Sequence, residues 1–395
     1  MKRDMNPATF VDPVVVLPDN DLLTPALVID EAVVECNIRN TVAILSNNPE
    51  RWRPHVKTSK VPSTIDCFIR QGLTHFKCCT TRELLLLCDR GVGDVLFAHP
   101  ARRRTAEQIT ELDREHPNVR ISVLVEDGEL DIWSKASVAG LFVDVNPGMD
   151  RTGMPIDEVG RIAALASRIV QTGMTFRGIH CYEGDLGHLD PAARRIAAQA
   201  IYDKLIALRN VLFQKGVAVG ELVTSGTPAF PCAAEYAPFR DNRFVHRVSA
   251  GTVSYCDLTA LAQLTHLPGY APAAVVLSRV VSRPRETVVT CDAGHKTLSL
   301  DRGTPSCVVS SHSDIVPLTP SEEHLPLDVS RCPSALHVGD LIQLIPRNVC
   351  PTVNTFDHAV VMRNGHAYVE CVAARGREAP FVTKGNQHLA ATDEE

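Results

Sequence analysis

The sequence predicts an α/β chain in two parts, a (β/α)8 TIM barrel followed by a second, all-β domain. Two observations carry this. Between Asp30 and Tyr255, short β-rich runs alternate with longer segments of helical period, the pattern of parallel βα units. After about Tyr270 the helical period disappears, and short β runs separated by Pro, Gly, Asp and Ser take over. At 395 residues the chain is long enough for one large domain and a smaller one.

Eight runs read as barrel strands: Arg51–Lys57, His75–Thr80, Asp94–Pro100, Val119–Glu126, Leu141–Asn146, Arg177–Glu183, Glu221–Ser225 and Arg247–Thr252. Between them lie amphipathic stretches such as Asp157–Gly173 and Pro191–Gly216, the second with Ile196, Ala200, Leu205, Leu208 and Leu212 near helical spacing. Eight alternations favour a closed barrel. An open doubly wound sheet usually has fewer strands and a GxGxxG turn after the first, which this sequence lacks. The barrel is expected over residues 23–265. The β domain is expected over 266–385, with runs at Ala274–Ser282, Glu286–Cys291, Ser306–Ser310, Leu341–Ile345, His358–Met362 and Ala367–Val372. Residues 1–22, through Val14–Leu17, are expected to be able to join that sheet, and 386–395 to form an acidic tail.

Composition narrows the function classes. The chain is 45 % hydrophobic and 22 % charged, as in ordinary globular proteins, and its net charge of −6 offers no basic excess for a nucleic-acid backbone. No apolar run reaches the roughly 18 residues of a membrane span, and Met1–Pro25 has no apolar secretory core, so a cytoplasmic protein without membrane or nucleic-acid partners is expected. The thirteen cysteines are scattered, Cys78–Cys79 being the one close pair. They suggest neither a disulfide framework nor a CxxC zinc module.

In such a barrel, chemistry belongs at the C-terminal ends of the strands, with phosphate commonly held by the loops after strands seven and eight. The first run ends in Arg53-Pro54-His55-Val56-Lys57-Thr58, which puts an amine at the mouth. Apolar walls there are expected to favour its neutral form, as Schiff-base lysines require; the same residue alone also reads as a snorkelling surface lysine. The fifth run leads into Asn146-Pro147-Gly148-Met149-Asp150-Arg151-Thr152-Gly153, where glycines on both sides of Arg151 permit turns that aim a guanidinium inward. An Arg151 facing solvent fits those residues equally well. The sixth run ends in His180-Cys181-Tyr182-Glu183-Gly184-Asp185-Leu186-Gly187-His188, a density of titratable groups suited to acid–base work. Ser225-Gly226-Thr227 and Gly251-Thr252 then fall after strands seven and eight, where small residues and backbone N–H groups make a phosphate cradle.

These segments resemble the fold-type III pyridoxal-phosphate enzymes, whose barrel is alanine racemase-like, and within them the branch of D-threonine aldolase and eukaryotic-type D-serine dehydratase. The resemblance continues through Thr24-Pro25-Ala26-Leu27-Val28, Asp292-Ala293-Gly294-His295-Lys296, Ser321-Glu322-Glu323-His324, Cys350-Pro351-Thr352-Val353-Asn354 and Ala374-Arg375-Gly376. It implies pyridoxal 5′-phosphate as cofactor, with Lys57 the Schiff-base lysine, Arg151 at the phenolic oxygen and Tyr182 beside the pyridine ring. Ser225, Gly226, Thr227, Gly251 and Thr252 match the phosphate loops, and His188 the base acting on the substrate hydroxyl. A homodimer with shared sites is implied as well. Relatives hold a divalent metal, Zn or Mn, through a histidine and, two residues later, a cysteine or aspartate. Here those positions are Asn348 and Cys350, and asparagine is a poor transition-metal ligand. Asp185 stands where many aldolases carry histidine.

The expected reaction is aldol cleavage of a D-threonine-like β-hydroxy amino acid to glycine and an aldehyde. Dehydration of the D-serine type is the alternative, followed by racemisation or epimerisation and then by cofactor binding without catalysis. A cofactor-free barrel isomerase acting on a phosphorylated substrate is the remaining alternative.

Overall fold

The computed structural model describes residues 22–134 and 138–379. The Val14–Leu17 run and the acidic tail fall outside them. Strand β1 (Ala26–Asp30) leads into the helix Glu31–Ile44, which Asp30 caps by accepting from the N–H groups of Ala32 and Val33. The barrel strands follow in sequence order: β2 (His75–Cys78), β3 (Asp94–Phe97), β4 (Arg120–Val125), β5 (Gly140–Asn146) with the short β6 (Met154–Pro155) at its end, β7 (Phe176–Cys181), β8 (Glu221–Thr224) and β9 (Val245–Val248). All pair in parallel, in the order β2-β3-β4-β5-β7-β8-β9.

The first expected strand, Arg51–Lys57, is not a continuous strand. It begins in the 3-10 turn Pro49–Arg51, and Pro54 has no N–H to give a ladder. It nevertheless closes the barrel. Trp52 bridges Val248 on one edge and His55 bridges Lys77 on the other, while the N–H groups of Arg53 and Val56 reach the carbonyls of Val248 and Lys77 at 2.9 Å each.

Because side chains alternate along each strand, the barrel interior is layered. The floor is ionic: the fully buried Arg53 grips Glu221 through Nε and Nη2 (2.8 and 3.0 Å) and Asp94 through Nη1 (2.8 Å). Arg177 and Arg247 complete it on Asp94 (2.8 Å) and Glu221 (2.7 Å). Two residues further along the strands, Leu96, Leu124, Phe142 and Val223 form a dry middle layer. Towards the C-terminal ends of the strands lie His55, Lys77, Asp144 and His180, all buried at the mouth. A polar mouth is thus insulated from a polar floor by one apolar tier.

The second sheet contains β10 (Ala274–Arg285), β11 (Val288–Cys291), β12 (Cys307–Val309), β13 (Val316–Pro317), β14 (Leu325–Asp328), β15 (Leu341–Pro346), β16 (His358–Arg363) and β17 (His366–Cys371). Their order is β13-β14-β11-β10-β1-β16-β17, with β15 pairing both β10 and β12. Here the expected division of the chain needs correcting. Residues 26–30, counted with the barrel, form a central strand of this sheet, antiparallel to β10 (Ala26 opposite Leu277) and parallel to β16 (Leu27 opposite Ala359). Both faces of the run Leu27–Ile29 are buried, which only a central strand satisfies.

The long helix covers Pro191–Gln214, but its buried stripe is Ala198, Tyr202, Leu205, Leu208 and Leu212, leaving Ile196 and Ala200 exposed. None of the thirteen cysteines is in a disulfide. Among the described residues no helix is long and apolar enough to cross a membrane.

Candidate active site

The first segment ends at the mouth with Lys57 half-buried, its N–H donating to His55 Nδ1 at 3.3 Å. Burial depresses the Lys57 amine, but the neighbouring Tyr182, Cys350 and Cys79 side chains oppose it, and its pKa is raised overall. Burial acts in the direction expected of such an amine, and the polar groups of the mouth oppose it.

Two turns form the far side of the mouth. The β8 turn is set by Glu183, which is wholly buried and accepts from Tyr202 Oη (2.7 Å), Ser225 Oγ (2.6 Å) and Ser225 N (3.2 Å). Burial pushes the Glu183 carboxyl up while these donors hold it down, and burial prevails. The clamp fixes Ser225 in the left-handed region, at φ 59°. It also corrects one expectation, because the Ser225 hydroxyl and N–H are both spent on Glu183 and turned away from any ligand. Thr227, by contrast, is buried with no partner for its Oγ1, and Ser249 Oγ is likewise unpartnered. An unpaired buried hydroxyl is costly unless a ligand completes it.

The β9 turn approaches the first segment so closely that a Cβ on Gly251 would lie 2.2 Å from the His55 carbonyl oxygen. Gly226 is similarly confined, with a Cβ falling 2.8 Å from the Tyr182 ring. The two turns are tied by Ser249 N–H donating to the Ser225 carbonyl at 2.8 Å. The result is a cradle of small residues with an orphan hydroxyl, which fits an anion of phosphate type.

The β5–β6 loop delivers Arg151. Gly148, Asp150 and Gly153 all take positive φ, and Asn146 Oδ1 accepts from the N–H groups of Gly148 and Asp150. The guanidinium lies over the Tyr182 ring, with Cζ 4.8 Å from its centroid. Arg151 is thus exposed to solvent on one side and stacked on the other.

Lys77 was not among the residues expected to act. It is buried on β2, with Nζ 3.3 Å from His180 Nε2 and 5.6 Å from the Tyr182 ring centroid. His180 Nδ1 in turn meets Asp144 Oδ1 at 2.7 Å, and Thr152 Oγ1 donates to Asp144 Oδ2 at 2.8 Å. Burial first, then repulsion from Lys57 and Arg151, lowers the Lys77 amine to about 7. His180 is depressed by burial and Lys77, and His55 lies well below the usual histidine range through burial and the surrounding cations. The sequence did carry a signal. Phe76 packs against Phe68 on the helix side, so strand alternation points Lys77 at the barrel axis.

His188 sits elsewhere. It ends the exposed 3-10 turn Gly184–His188, its Nδ1 donates to the Asp185 carbonyl, and no hydrogen bond joins it to the Lys77 cluster. The histidine brought to the buried centre is His180.

Asn348 and Cys350 do not make a metal site. The Asn348 amide donates to Asp301 at 2.6 Å, whereas Cys350 Sγ lies 3.0 Å from Thr58 Oγ1 and 3.5 Å from Thr252 Oγ1. Cys350 is held there because the Val349 N–H donates to Asp257 at 2.9 Å. Among the described residues the one cluster with metal-ligand types is Glu31, Glu35 and Cys67, where Arg70 already engages both carboxylates. Neither Asp185 nor His188 joins Cys350, so the donor set does not fit a transition metal.

A putative serine dehydratase domain family matches residues 273–362. The chain is 25 % identical to a D-threonine aldolase of Arthrobacter sp over 87 % of its length and 89 % of that protein. It is 24 % identical to a 3-hydroxy-D-aspartate aldolase of Paracoccus denitrificans, over 91 % and 94 %. The crystal structure of D-threonine aldolase from Filomicrobium marinum superposes with a TM-score of 0.81 at 25 % identity, covering 90 % of this chain and 96 % of that one. D-threo-3-hydroxyaspartate dehydratase from Delftia sp. shares the fold, with a TM-score of 0.73 at 20 % identity and coverage of 91 % and 99 %. In barrel, β domain and relatives the chain is similar to the fold-type III pyridoxal-phosphate enzymes. Within that class the likeness is to the branch of D-threonine aldolase and D-serine dehydratase.

Proposed function

We propose that the chain is a pyridoxal-phosphate-dependent lyase that cleaves D-β-hydroxy amino acids of the D-threonine type to glycine and an aldehyde. The observation that carries this is the convergence at one barrel mouth of the Lys57 amine and an anion cradle whose Thr227 hydroxyl has no partner among the described residues. Lys57 would hold the cofactor's aldehyde. Thr227 Oγ1 and the backbone of Gly226, Thr227, Gly251 and Thr252 would hold its phosphate, Arg151 its phenolic oxygen, and Tyr182 would support the ring. When bound, pyridoxal phosphate supplies an electron sink for the pair released at Cα.

The protein's own part is positioning and proton handling. The Glu183 clamp holds the phosphate turn rigid before any ligand arrives. His188 gives its Nδ1–H to the Asp185 carbonyl and would act from the turn Gly184–His188. There it can take the β-hydroxyl proton as the Cα–Cβ bond breaks. The alternative, loss of the hydroxyl as water, places a poor leaving group at Cβ and draws on a Lewis acid. With Asn348 tied to Asp301, the protein offers a weak donor set for one. The serine dehydratase-type match over 273–362 keeps dehydration as the second reading. A homodimer, with the β domain of one subunit completing the mouth of the other, accompanies this proposal.

The deciding experiment is incubation of the cofactor-loaded protein with D-threonine and D-3-hydroxyaspartate, with and without added Mn²⁺ or Zn²⁺. Glycine formation is expected. Ammonia and a keto acid would establish dehydration instead, and neither product under any condition would sink the lyase proposal.

A further inference from the structure

The Lys77–His180–Asp144 chain has no part in the proposal above, yet it is buried directly beside the reacting amine. Asp144 stays ionised: burial pushes it upward, but His180, Thr152 and Lys77 hold it low. An ionised carboxylate only accepts, so His180 carries its proton on Nδ1 and presents a lone pair at Nε2. Lys77 Nζ donates into that lone pair at 3.3 Å. No carboxylate bonds Lys77 directly. The groups facing it are His55 and Lys57 from the first segment, Asp144 from β5, Arg151 from the following loop, and His180, Tyr182 and Glu183 from β7 and its end.

The mouth therefore contains two amines and a guanidinium, with Asp144 and Glu183 as the carboxylates facing Lys77 and neither bonded to it, and a buried amine in that position has a reason to shed its proton until an anion enters. We infer that Lys77, docked on the His180–Asp144 pair, is a positioning residue that takes up a proton when the phosphate-bearing aldehyde binds at the mouth, so that its ammonium and Arg151 flank Tyr182 from two sides. The proton comes from solvent and resides on Nζ; no bond to carbon is made or broken. The arrangement matches the charge of the empty mouth to that of the filled one without a permanent unpaired cation in the barrel. This inference rests on the proposed cofactor, and the test separates the two.

The experiment is calorimetric titration of the cofactor-free full-length protein with pyridoxal phosphate, in pairs of amine-free buffers that differ in ionisation heat, between pH 5 and pH 8. The difference between paired buffers gives the protons exchanged per site. The amine of Lys77 is lowered to about 7, so near pH 7 wild type should take up about half a proton more than Lys77→Arg, whose guanidinium is always charged. That excess should vanish near pH 5, where Lys77 is already an ammonium. Lys77→Met should show the same loss of uptake together with weaker binding, whereas Lys77→Arg should retain most of the affinity. Borohydride reduction followed by peptide mapping runs in parallel. Absence of a pyridoxyl group on Lys57 in wild type overturns the cofactor assignment, and this inference with it. A pyridoxyl group on Lys57 with equal proton counts in wild type and both variants overturns the inference alone.

Discussion

Replacing Glu183 tests how the phosphate turn is built. In Glu183→Ala three buried donors lose their acceptor at once: Tyr202 Oη, Ser225 Oγ and the Ser225 N–H. Each stranded donor costs about 1–3 kcal/mol. Tyr202 Oη and Ser225 Oγ lie 2.9 Å apart and can partly satisfy each other, so the loss should be nearer 3–5 kcal/mol than the simple sum. Much of it should appear at the site, because the clamp helps to keep Ser225 at φ 59°. Urea unfolding should report the stability loss, and the cofactor's dissociation constant should rise at least tenfold.

Glu183→Gln makes the pH argument. Burial raises the Glu183 carboxyl above its unfolded value. A group with a raised folded pKa contributes stability that is fully present below the unfolded value and lost as pH rises through the folded one. Wild type should therefore lose stability relative to Glu183→Gln on passing upward from the ordinary glutamate range. A loss below about 1 kcal/mol in Glu183→Ala with unchanged cofactor affinity, or a wild-type minus glutamine difference that does not vary with pH, would refute the clamp.

Three further outcomes are expected. Lys60 and Glu83 form a buried pair at 2.8 Å, and Lys60 also donates to the Ala374 carbonyl, so Glu83→Ala should cost about 3–5 kcal/mol in chemical unfolding by stranding an ammonium between barrel and β domain. Gly251→Ala must push the His55 carbonyl aside, and should cost about 1–3 kcal/mol in stability and release cofactor faster in an absorbance chase. His188→Ala should lower kcat for cleavage by about 10²–10⁴-fold with the cofactor absorption band intact; an unchanged kcat would remove His188 from the reaction.

Much of the architecture was legible residue by residue, since the period of apolar side chains is a local property. It marked seven of the eight barrel strands to within a few residues at either end, and the alternation in His75–Cys78 already aimed Lys77 inward. It misread 51–57 as a strand because nothing local reveals that a proline-broken segment can close a barrel by single bridges to both edges. It assigned Ala26–Asp30 to the barrel because that strand's partners lie about 250 and 330 residues away, at Ala274–Leu277 and Ala359–Met362. Lys57, Arg151, Tyr182 and the two glycine turns could be named from motifs. That Ser225 points into a carboxylate clamp, that Cys350 faces Thr58 while Asn348 binds Asp301, and that Lys77 meets His180 and Asp144 depends on residues 36 to 292 positions apart being brought together. Spacing in a sequence carries the type of element and its inward face. The partner of a buried charge is chosen by the packing of the whole barrel, because every such group must find its counter-group there or forfeit its charge.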